Sequence, residues 1–297
     1  MPRPALSASR SIEIIDFLAA FPERAFTLSE IARAAKINLP SCRAVLGALV
    51  RSGYLTQGSK ERTYVLGPGL IAAGQAALKS QPLVSRAQEA AQALFNELKI
   101  PVLLTALVDD EIVVLESIAD ASGRSPGMRA GERRPFVPPV GPQFVAWSSE
   151  ATIETWFARR AAHSKITPEE CRRGLALIRK RGFHVTLGSP GGSELASILA
   201  DMASRREVHE YKDQMLNLMK SSGRQEPESI LANELYEVVL IAAPIFNQNG
   251  EAAFSLCLGG FSEGITGSMI EKYADHLVRA CLSVMGTDLS LRARITG

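Results

Sequence analysis

The side chains that could act as catalytic acids, bases or nucleophiles are scattered along this sequence of 297 residues without a recognisable catalytic spacing. The histidines stand at His163, His184, His209 and His276. The sequence has no H-E-x-x-H zinc motif, no G-x-S-x-G nucleophile elbow and no G-x-G-x-x-G loop. Asp109 and Asp110 are adjacent carboxylates, but they occupy a predicted hairpin turn, where aspartate is common. No catalytic residue is therefore predicted, and an enzymatic activity stays open only as an alternative.

The cysteines also lie far apart in the sequence, at Cys42, Cys171, Cys257 and Cys281. They form no C-x-x-C pair, which argues against a disulfide framework or a zinc site and is typical of a reducing compartment. Cys257 lies in the apolar stretch FSLCLGG, where a buried thiol is far commoner than a nucleophile. The loop GSPGGS at 188–193 lacks the G-K-[ST] needed to bind phosphate groups. No metal and no cofactor is predicted.

A more informative spacing occurs in the stretch LPSCRAVLGALVRSGY, residues 39–54. Its apolar residues recur at helical intervals, at Cys42, Val45, Leu46 and Leu49. The residues between them are small or basic, namely Ser41, Arg43, Ala44, Gly47 and Ala48. This pattern predicts a helix with one apolar face and one unusually slender face. A helix that lies in the groove of another molecule has such a face, and so do some ordinary surface helices.

The neighbouring segments predict a small domain at residues 1–67 that positions this helix. A first helix is expected to begin after Ser9 or Ser11, and the motif TLSE at 27–30 is a capping box that begins the second. The third helix follows the turn KINLP and ends at Gly53. Two strands, YLTQ and RTYVL, follow and are joined by the polar turn GSKE. Two helices joined by a tight turn and followed by a hairpin predict a winged helix-turn-helix.

In such a domain the second helix of the pair enters the major groove of DNA, and small residues allow its backbone to approach. Ser41 and Arg43, near the start of that helix, are expected to reach base edges. The wing is expected to contact phosphates or the minor groove through Lys60 and Arg62. The predicted DNA-binding residues are Thr27, Ser41, Arg43, Arg51, Lys60 and Arg62. A protein-interaction module of the same shape stays an alternative.

The distribution of charge agrees with a polyanionic partner at the N-terminal end. Residues 1–80 contain ten Lys and Arg against five Asp and Glu, a net charge of +5. The whole chain has a net charge of +2, so the remainder is −3. A basic end on a mildly acidic body is typical of a protein that binds nucleic acid, although the asymmetry is small.

The rest of the chain predicts a second domain of mixed helix and strand. Residues 68–82 are predicted to form a linker helix, and residues 83–297 alternate helices with the strand-like runs VLLTALV, EIVVLESI, GFHVT, VVLIAAPIF and AAFSLCLGGF. The turn NQNG joins the last two of these runs. Strands with antiparallel turns and helices at both ends predict an α+β domain. Within it, residues 188–235 are predicted to be a helical insertion.

The sequence gives no sign of a membrane or secreted protein. The N-terminal residues MPRPALSASRS have no apolar segment typical of a signal peptide, and the longest apolar run, at 238–246, is too short to span a bilayer. A cytoplasmic protein is predicted.

Taken together, these segments resemble the IclR family of bacterial transcription factors. The resemblance rests on SIEIIDFLAAF, LSEIARAAKINLPSCRAVLGALVRSGYL and YVLGPGLIAAG near the N-terminus, and on RAGERRPFVPPVGPQFVAW, LALIRKRGFHV and LIAAPIFNQNGEAAFSLCLGGF further on. It implies a winged helix-turn-helix, a linker helix and a GAF-like effector-binding domain. It also implies a dimer, or a dimer of dimers, whose binding to a palindromic operator responds to a small molecule.

The resemblance places the effector pocket near the PVGPQ turn and in the LIAAP and SLCLGG stretches. The positions that match are Val140, Gly141, Leu240, Cys257 and Gly259. Their lining is less polar than in family members that bind small oxo-acids, which favours an apolar, aromatic or otherwise larger effector. The recognition helix also departs from the family: Pro40 and Ser41 replace its usual Ser-Thr pair, and the basic side chain is at Arg43 rather than at position 44. The operator sequence is therefore not transferable.

Two other classes of function stay open at this stage. One is an enzyme, or a small-molecule sensor, that carries a DNA-binding module without regulating specific genes. The other is an architectural DNA-binding protein, although such a protein has no need of a strand-rich second domain like the one predicted at residues 83–297. For a regulator of this kind, both repression and activation stay open.

Overall fold

The computed structural model describes residues 5–58, 62–119, 128–160, 166–188 and 226–286. The chain divides into two compact units whose main boundary lies between Pro82 and Leu83. Helices and strands alternate with no long uniform stretch of either type in the described residues, so the predicted α+β class is confirmed.

Short helices and a small sheet form the first unit. The helices are α1 (Leu6–Ala19), α2 (Leu28–Ala34) and α3 (Leu39–Arg51), and the exposed helix α4 (Pro68–Ser80) follows the sheet. The sheet has the order β1-β3-β2, with β1 (Phe26–Thr27), β2 (Leu55–Gln57) and β3 (Thr63–Leu66). The helix-turn-helix and the hairpin are therefore present as predicted.

Two local details of this unit differ from the predictions. The first helix does not begin after Ser9 or Ser11: it begins at Leu6 with no side-chain cap, and its first backbone bond runs from the Ser9 N–H to the carbonyl of the N-cap residue Ala5. The strand β1 was not predicted, and it pairs Phe26 with Tyr64 of the wing. Both differences arise where backbone pairing, rather than side-chain periodicity, decides the structure.

A single core holds the three helices against the sheet. Its fully buried members include Ile14 and Leu18 of α1, Ile31 of α2 and Leu46 of α3. Ile14 and Leu18 are four residues apart along α1, as the apolar spacing of that helix predicts. Leu55 of β2 closes the core from the sheet side.

The second unit is built on a six-stranded antiparallel sheet of order β6-β5-β4-β10-β9-β7. In chain order its strands are β4 (Val102–Val108), β5 (Glu111–Ile118), β6 (Arg133–Pro135), β7 (His184–Leu187), β9 (Val238–Phe246) and β10 (Ala252–Gly259). The short strands β8 (Leu235–Tyr236) and β11 (Ile265–Thr266) pair separately. The predicted turns at Asp109–Asp110 and NQNG join β4 to β5 and β9 to β10.

Helices lie on both faces of this sheet. They are α5 (Pro82–Leu98), α6 (Pro142–Val145), α7 (Glu150–Ala158), α8 (Pro168–Arg181) and α9 (Gly267–Met285). One face, here called the α9 face, carries Leu104, Ile241, Ala243 and Leu256, which share a core with α5 and α9. The opposite face, here called the α6 face, carries Leu103, Thr105, Ala242, Ser255 and Cys257. The alternation along each strand assigns these residues to opposite sides.

Most of the predicted helical insertion at 188–235 lies outside the described residues. Its C-terminal part is described and corrects the predicted boundary: residues 226–234 contain no helix, and β8 begins at Leu235. Glu226 lies against β7, where its carboxylate accepts from the backbone N–H of Val185 at 3.3 Å. The C-terminal part of this segment is therefore non-helical and is hydrogen-bonded to β7 through Glu226.

The capping box predicted from TLSE makes the stability of the first unit depend on pH. The Glu30 carboxylate accepts from the backbone N–H of Thr27 at 2.8 Å, and this bond lowers the pKa of that carboxyl despite partial burial; the Thr27 hydroxyl and Arg24 lower it further. A carboxyl whose pKa is lower in the folded state stabilises the fold above its unfolded pKa, about 4.3, and loses this effect as pH falls through the folded value.

We therefore expect acid below about pH 4 to destabilise the first unit less in a Glu30→Gln variant than in the wild type. Thermal unfolding followed by far-UV circular dichroism between pH 3 and 7 measures this difference. Glu23→Gln serves as the control, because Glu23 is exposed and lies outside the capping box. An unchanged acid slope in Glu30→Gln would contradict the assignment.

Candidate functional site

Helix α3 exposes the slender face that its sequence predicts. Cys42, Leu46 and Leu49 are buried in the core of the first unit. On the opposite side the exposed residues follow one stripe along the helix, at Pro40, Arg43, Ala44, Ala48 and Arg51. Small side chains occupy the middle of this stripe and guanidinium groups lie towards its ends, so the backbone is open to a close approach along its length.

The start of α3 is fixed by a side-chain cap that the sequence analysis did not identify. The Asn38 side chain accepts from the backbone N–H of Ser41 at 2.9 Å, and Pro40 occupies the first turn. Asn followed two residues later by Pro is the signal that identifies this cap in the sequence. Ser41 is half-buried, so its hydroxyl is less accessible than the guanidinium of Arg43.

The basic side chains of this unit differ in their partners. Arg24 binds Glu30 at 2.7 Å and stacks over Phe26, so its charge is used within the fold. Neither Arg43 nor Arg51 forms an ion pair with another described residue, and both are exposed. A guanidinium without an internal partner is available to bind phosphates or base edges.

The wing places Arg62 at the start of β3, exposed and with a φ of 46°. Gly58 closes the other side of the hairpin, where its N–H donates to the Thr63 carbonyl at 2.8 Å. Lys60, the other predicted wing contact, lies outside the described residues. Thr27 occupies the N-cap of α2, where its hydroxyl is engaged with Glu30, and its inclusion among the DNA-binding residues stays a prediction.

Three of the predicted effector residues come together on the sheet. Gly259 of β10 pairs with Leu240 of β9, and Cys257, two residues earlier on β10, pairs with Ala242. Cys257 and Ala242 form a small apolar cluster with Leu103 and Val114, and Leu240 packs against that cluster. The pairing of β9 with β10 therefore brings the LIAAP and SLCLGG segments side by side.

The other two predicted effector residues lie at a different part of this unit. Gly141 has a φ of 75° and forms the left-handed N-cap of α6, and the atoms closest to its missing side chain belong to Ile112 and Phe136. Val140 is half-buried and packs against the larger core. The contacts of Val140 and Gly141 are therefore with the larger core, whereas Leu240 and Cys257 belong to the smaller apolar cluster, and α6 lies on β10 and β9.

Buried polar side chains that the sequence analysis missed connect α6 to that part of the sheet. Gln143 of α6 is 4 % exposed, and its Nε2 lies 3.5 Å from the Oγ of Ser255, which is fully buried. The Thr105 hydroxyl donates to the Ser255 carbonyl at 3.3 Å. The sequence signal was a single hydroxyl residue inside each apolar strand, in VLLTALV and in AAFSLCLG. Buried polar groups in an apolar sheet have either a structural partner or a function.

The thiol of Cys257 is not an activated nucleophile. Burial raises its pKa to about 11, and hydrogen bonding with Ser255 and Thr105 offsets only part of this effect. Burial likewise raises the pKa of the fully buried Cys281 and, to about 11, that of Cys171. At neutral pH these groups are protonated thiols, which react slowly.

We expect iodoacetamide at pH 8 to leave Cys257 and Cys281 unmodified in the folded protein, because both are buried and protonated. In guanidinium chloride all four cysteines should react, which is the control. Peptide mass spectrometry after a timed reaction measures both. Rapid alkylation of Cys257 in the folded protein would indicate a reactive thiol and favour the enzymatic alternative.

A separate pocket of about 60 Å³ lies between α8 and the segment before α6. Its lining includes Pro138, Trp156, Cys171, His184 and Glu226. The His184 Nδ1 lies 2.5 Å from the Glu226 carboxylate, and its Nε2 lies 2.8 Å from the Thr186 hydroxyl. Ligand pockets usually enclose about 300–1,000 Å³, so this space fits ordered water rather than an effector.

Within the part of the chain that the structure describes, no group of three or more His, Cys, Asp or Glu side chains is arranged to hold a metal ion. In the same residues, no helix is both long and apolar enough to cross a lipid bilayer.

Comparison with known protein families supports the reading of the first unit. Residues 7–59 match the IclR helix-turn-helix domain family. The match begins in α1 and reaches the hairpin, so it includes all of α2 and α3. Among curated protein sequences, none matches this chain significantly.

Solved structures extend the similarity to the whole chain. An IclR transcriptional regulator from Alicyclobacillus acidocaldarius is 19 % identical, with a TM-score of 0.64 over 99 % of this chain and 100 % of its own. An IclR homologue from Microbacterium hydrocarbonoxydans in complex with 4-hydroxybenzoate is 17 % identical, with a TM-score of 0.63 over 97 % and 99 %. HmgR from Pseudomonas aeruginosa is 20 % identical, with a TM-score of 0.61 over 95 % and 98 %. The predicted resemblance is thus confirmed: this chain carries an IclR helix-turn-helix domain and has the fold of the IclR-type transcriptional regulators.

Proposed function

We propose that this protein is a non-catalytic transcription regulator that binds a palindromic operator as a homodimer or a dimer of dimers and responds to a small-molecule effector. The observation that carries the proposal is the exposed face of α3, where Arg43 and Arg51 flank small residues in a domain that matches the IclR helix-turn-helix family. Such a regulator works where the DNA is, so we place it in the cytoplasm.

On the DNA side, α3 is the recognition helix. The small residues Ala44 and Ala48 let its backbone enter the major groove, and Arg43 forms hydrogen bonds with base edges. Arg51 and the wing residues Lys60 and Arg62 neutralise phosphates, which gives affinity without sequence preference. Ser41 and Thr27 complete the predicted contacts near the helix starts.

A palindromic operator follows from self-association. Two copies related by a twofold axis present two recognition helices, and these reach one face of the duplex when half-sites lie about 34–36 Å apart or a multiple of that distance. The exposed helix α4 supports association, because none of its residues is buried within the chain and Ile71 is 69 % exposed. Apolar helices with this exposure are commonly covered by a partner.

The effector side of the proposal rests on the α6 face. The predicted effector residues Leu240, Cys257 and Gly259 meet there, next to the buried polar group of Gln143 and Ser255. Since one relative of the same fold is described in complex with 4-hydroxybenzoate, an aromatic effector fits both the fold and the apolar character of Leu103 and Val114. Val140 and Gly141 complete the predicted effector residues at the start of α6, outside the apolar cluster that contains Cys257.

Coupling between effector binding and DNA binding requires that the effector binds one arrangement of the oligomer more tightly than the other. In the chain, α4 connects the winged helix to the domain that begins with α5, so α4 is the element through which we expect this preference to reach the DNA-binding unit.

The test is selection of random-sequence duplex by the full-length protein at near-physiological salt, read by sequencing. A regulator enriches a palindromic site and binds it about 10³-fold or more tightly than random duplex. The selected duplex then serves to screen aromatic and acyl metabolites for release. An architectural protein binds all duplexes alike, and failure to enrich any motif with or without these metabolites overturns the proposal.

A further inference from the structure

The buried polar group on the α6 face contains an atom without a partner. Gln143, Ser255, Thr105 and Cys257 form this group, here called the Gln143 cluster. The Oε1 of Gln143 has no hydrogen-bond partner among the described residues, although the residue is only 4 % exposed. An unpaired buried acceptor is costly, typically about 1–3 kcal/mol, so it calls for an explanation.

The orientation of the Gln143 amide follows from the hydrogen bonds of its neighbour. The Ser255 hydroxyl donates to the Ala243 carbonyl at 2.9 Å, and the Leu256 carbonyl lies within reach of the same proton at 3.3 Å. With its proton directed to these backbone carbonyls, the Ser255 oxygen accepts, and the Nε2 of Gln143 faces it at 3.5 Å. In this arrangement the carbonyl oxygen is the end of the Gln143 amide that is left without a donor.

The other protons of the cluster are also engaged. The Thr105 hydroxyl donates to the Ser255 carbonyl at 3.3 Å. The Cys257 thiol lies 3.6 Å from the Ser255 oxygen, within reach of a weak bond. The cluster thus presents an unfilled acceptor and no free hydroxyl proton, and its chemical complement is a hydrogen-bond donor.

We propose that Gln143 selects the effector: its Oε1 accepts a hydrogen bond from a neutral hydroxyl or N–H group of an aromatic ligand whose ring lies on the α6 face against Leu103 and Cys257. This inference rests on the proposed effector-binding function and specifies the ligand group that meets this cluster. A carboxylate at the same place would oppose one acceptor with another and leave Oε1 unpaired. A side chain suited to yield to such a ring is Met128, which packs half-buried on the same apolar cluster.

The substitution Gln143→Leu provides a test that does not depend on any ligand. Leucine keeps approximately the size of the side chain and removes the unpaired acceptor. Without ligand, we expect the thermal transition of the second unit to rise by about 2–4 °C. Intrinsic fluorescence measures that unit selectively, because both tryptophans, Trp147 and Trp156, belong to it. Gln92→Leu, at an exposed position of α5, is the matched control and should leave the transition unchanged.

Ligand preference is measured on the same variants by calorimetric titration in the absence of DNA. The probes are two matched pairs: 4-methylphenol with 4-methylanisole, and benzyl alcohol with benzyl methyl ether. In each pair the ether keeps the ring and replaces the donor proton by a methyl group. We expect the hydroxyl member to bind at least about tenfold more tightly to the wild type and to the Gln92→Leu variant. In Gln143→Leu the ratio should fall to near one.

Four results would overturn the proposal. A lower thermal transition in Gln143→Leu would mean that the amide stabilises the unliganded fold. Equal binding of ether and alcohol, or a preference that survives in Gln143→Leu, would mean that Oε1 does not select the ligand. Absence of binding by every probe would mean that the face does not accept neutral aromatic hydroxyl compounds. Failure of the proposed regulator function would be recognised separately, because it is measured by operator selection. The preference of the protein for alcohols over ethers would then remain.

Discussion

Replacing Arg43 by alanine is expected to weaken binding to the selected operator by about 1–3 kcal/mol, a factor of about 5–150, and to relax preference at one base position of each half-site. The reason is geometric: Arg43 is exposed on α3, lies one turn from the capped N-terminus and has no ion pair with another described residue. Its loss therefore removes a base contact without disturbing the core. Competition binding against single-base operator variants, at fixed salt, measures both effects.

The matched control is Arg62→Ala. Arg62 is equally exposed, but it lies in the wing, where a phosphate contact is expected. This change should weaken all duplexes to a similar extent and lower the slope of log K against log salt by about 1. Lys60→Ala is expected to behave in the same way. A base-selective loss in Arg62→Ala, or a uniform loss in Arg43→Ala, would reverse the assignment of these two side chains.

The second large effect is expected from Gly67→Ala, at the junction between the wing and α4. A Cβ at this position would lie 2.4 Å from the carbonyl oxygen of Gly53 and 3.0 Å from the backbone of Leu55. Backbone atoms cannot rotate away as side chains can, so the chain must shift and break the bond from the Gly67 N–H to the Tyr54 carbonyl. We expect the first unit to lose about 1–3 kcal/mol of stability, or more, together with its operator affinity.

Two measurements separate this effect from a general one. Far-UV circular dichroism should show a lower transition for the first unit, while tryptophan fluorescence, which reports the second unit, should not change. Gly74→Ala is the control within α4: nothing lies within 4 Å of its missing Cβ, so alanine should keep or raise stability by up to about 1 kcal/mol. Equal behaviour of the two variants would show that the close approach at Gly67 is not restrictive.

The accuracy of the predicted elements depended on how local their signals are. The capping box at 27–30, the linker helix and the strands around NQNG occur within one or two residues of their predicted positions. Each is encoded by side chains a few positions apart, which act the same way in any context. The start of α1 and the strand β1 were not predicted, since both depend on backbone pairing, in the case of β1 with Tyr64 nearly forty residues away.

The candidate DNA-binding face was predictable for the same reason. Buried and exposed positions alternate along α3 with the helical period, so the sequence alone separated Cys42, Leu46 and Leu49 from Arg43 and its exposed neighbours. The Asn38 cap was missed, although its signal is local as well. Which of the basic residues already has a partner, as Arg24 does, became apparent only when the contacts were known.

Local signals were sufficient to predict a basic winged helix-turn-helix, a linker helix and an α+β second domain, because composition, capping residues and hydrophobic period act over a few residues. Which polar groups share a site depends instead on long-range packing. Gln143 and Ser255 are separated by 112 positions, and neither is conspicuous in its own segment. The packing of α6 on β10 buries them together, and burial turns an ordinary amide oxygen into an acceptor that water no longer reaches. No short sequence motif predicts this unpaired acceptor, because it arises only when the folded chain excludes water from the Gln143 amide.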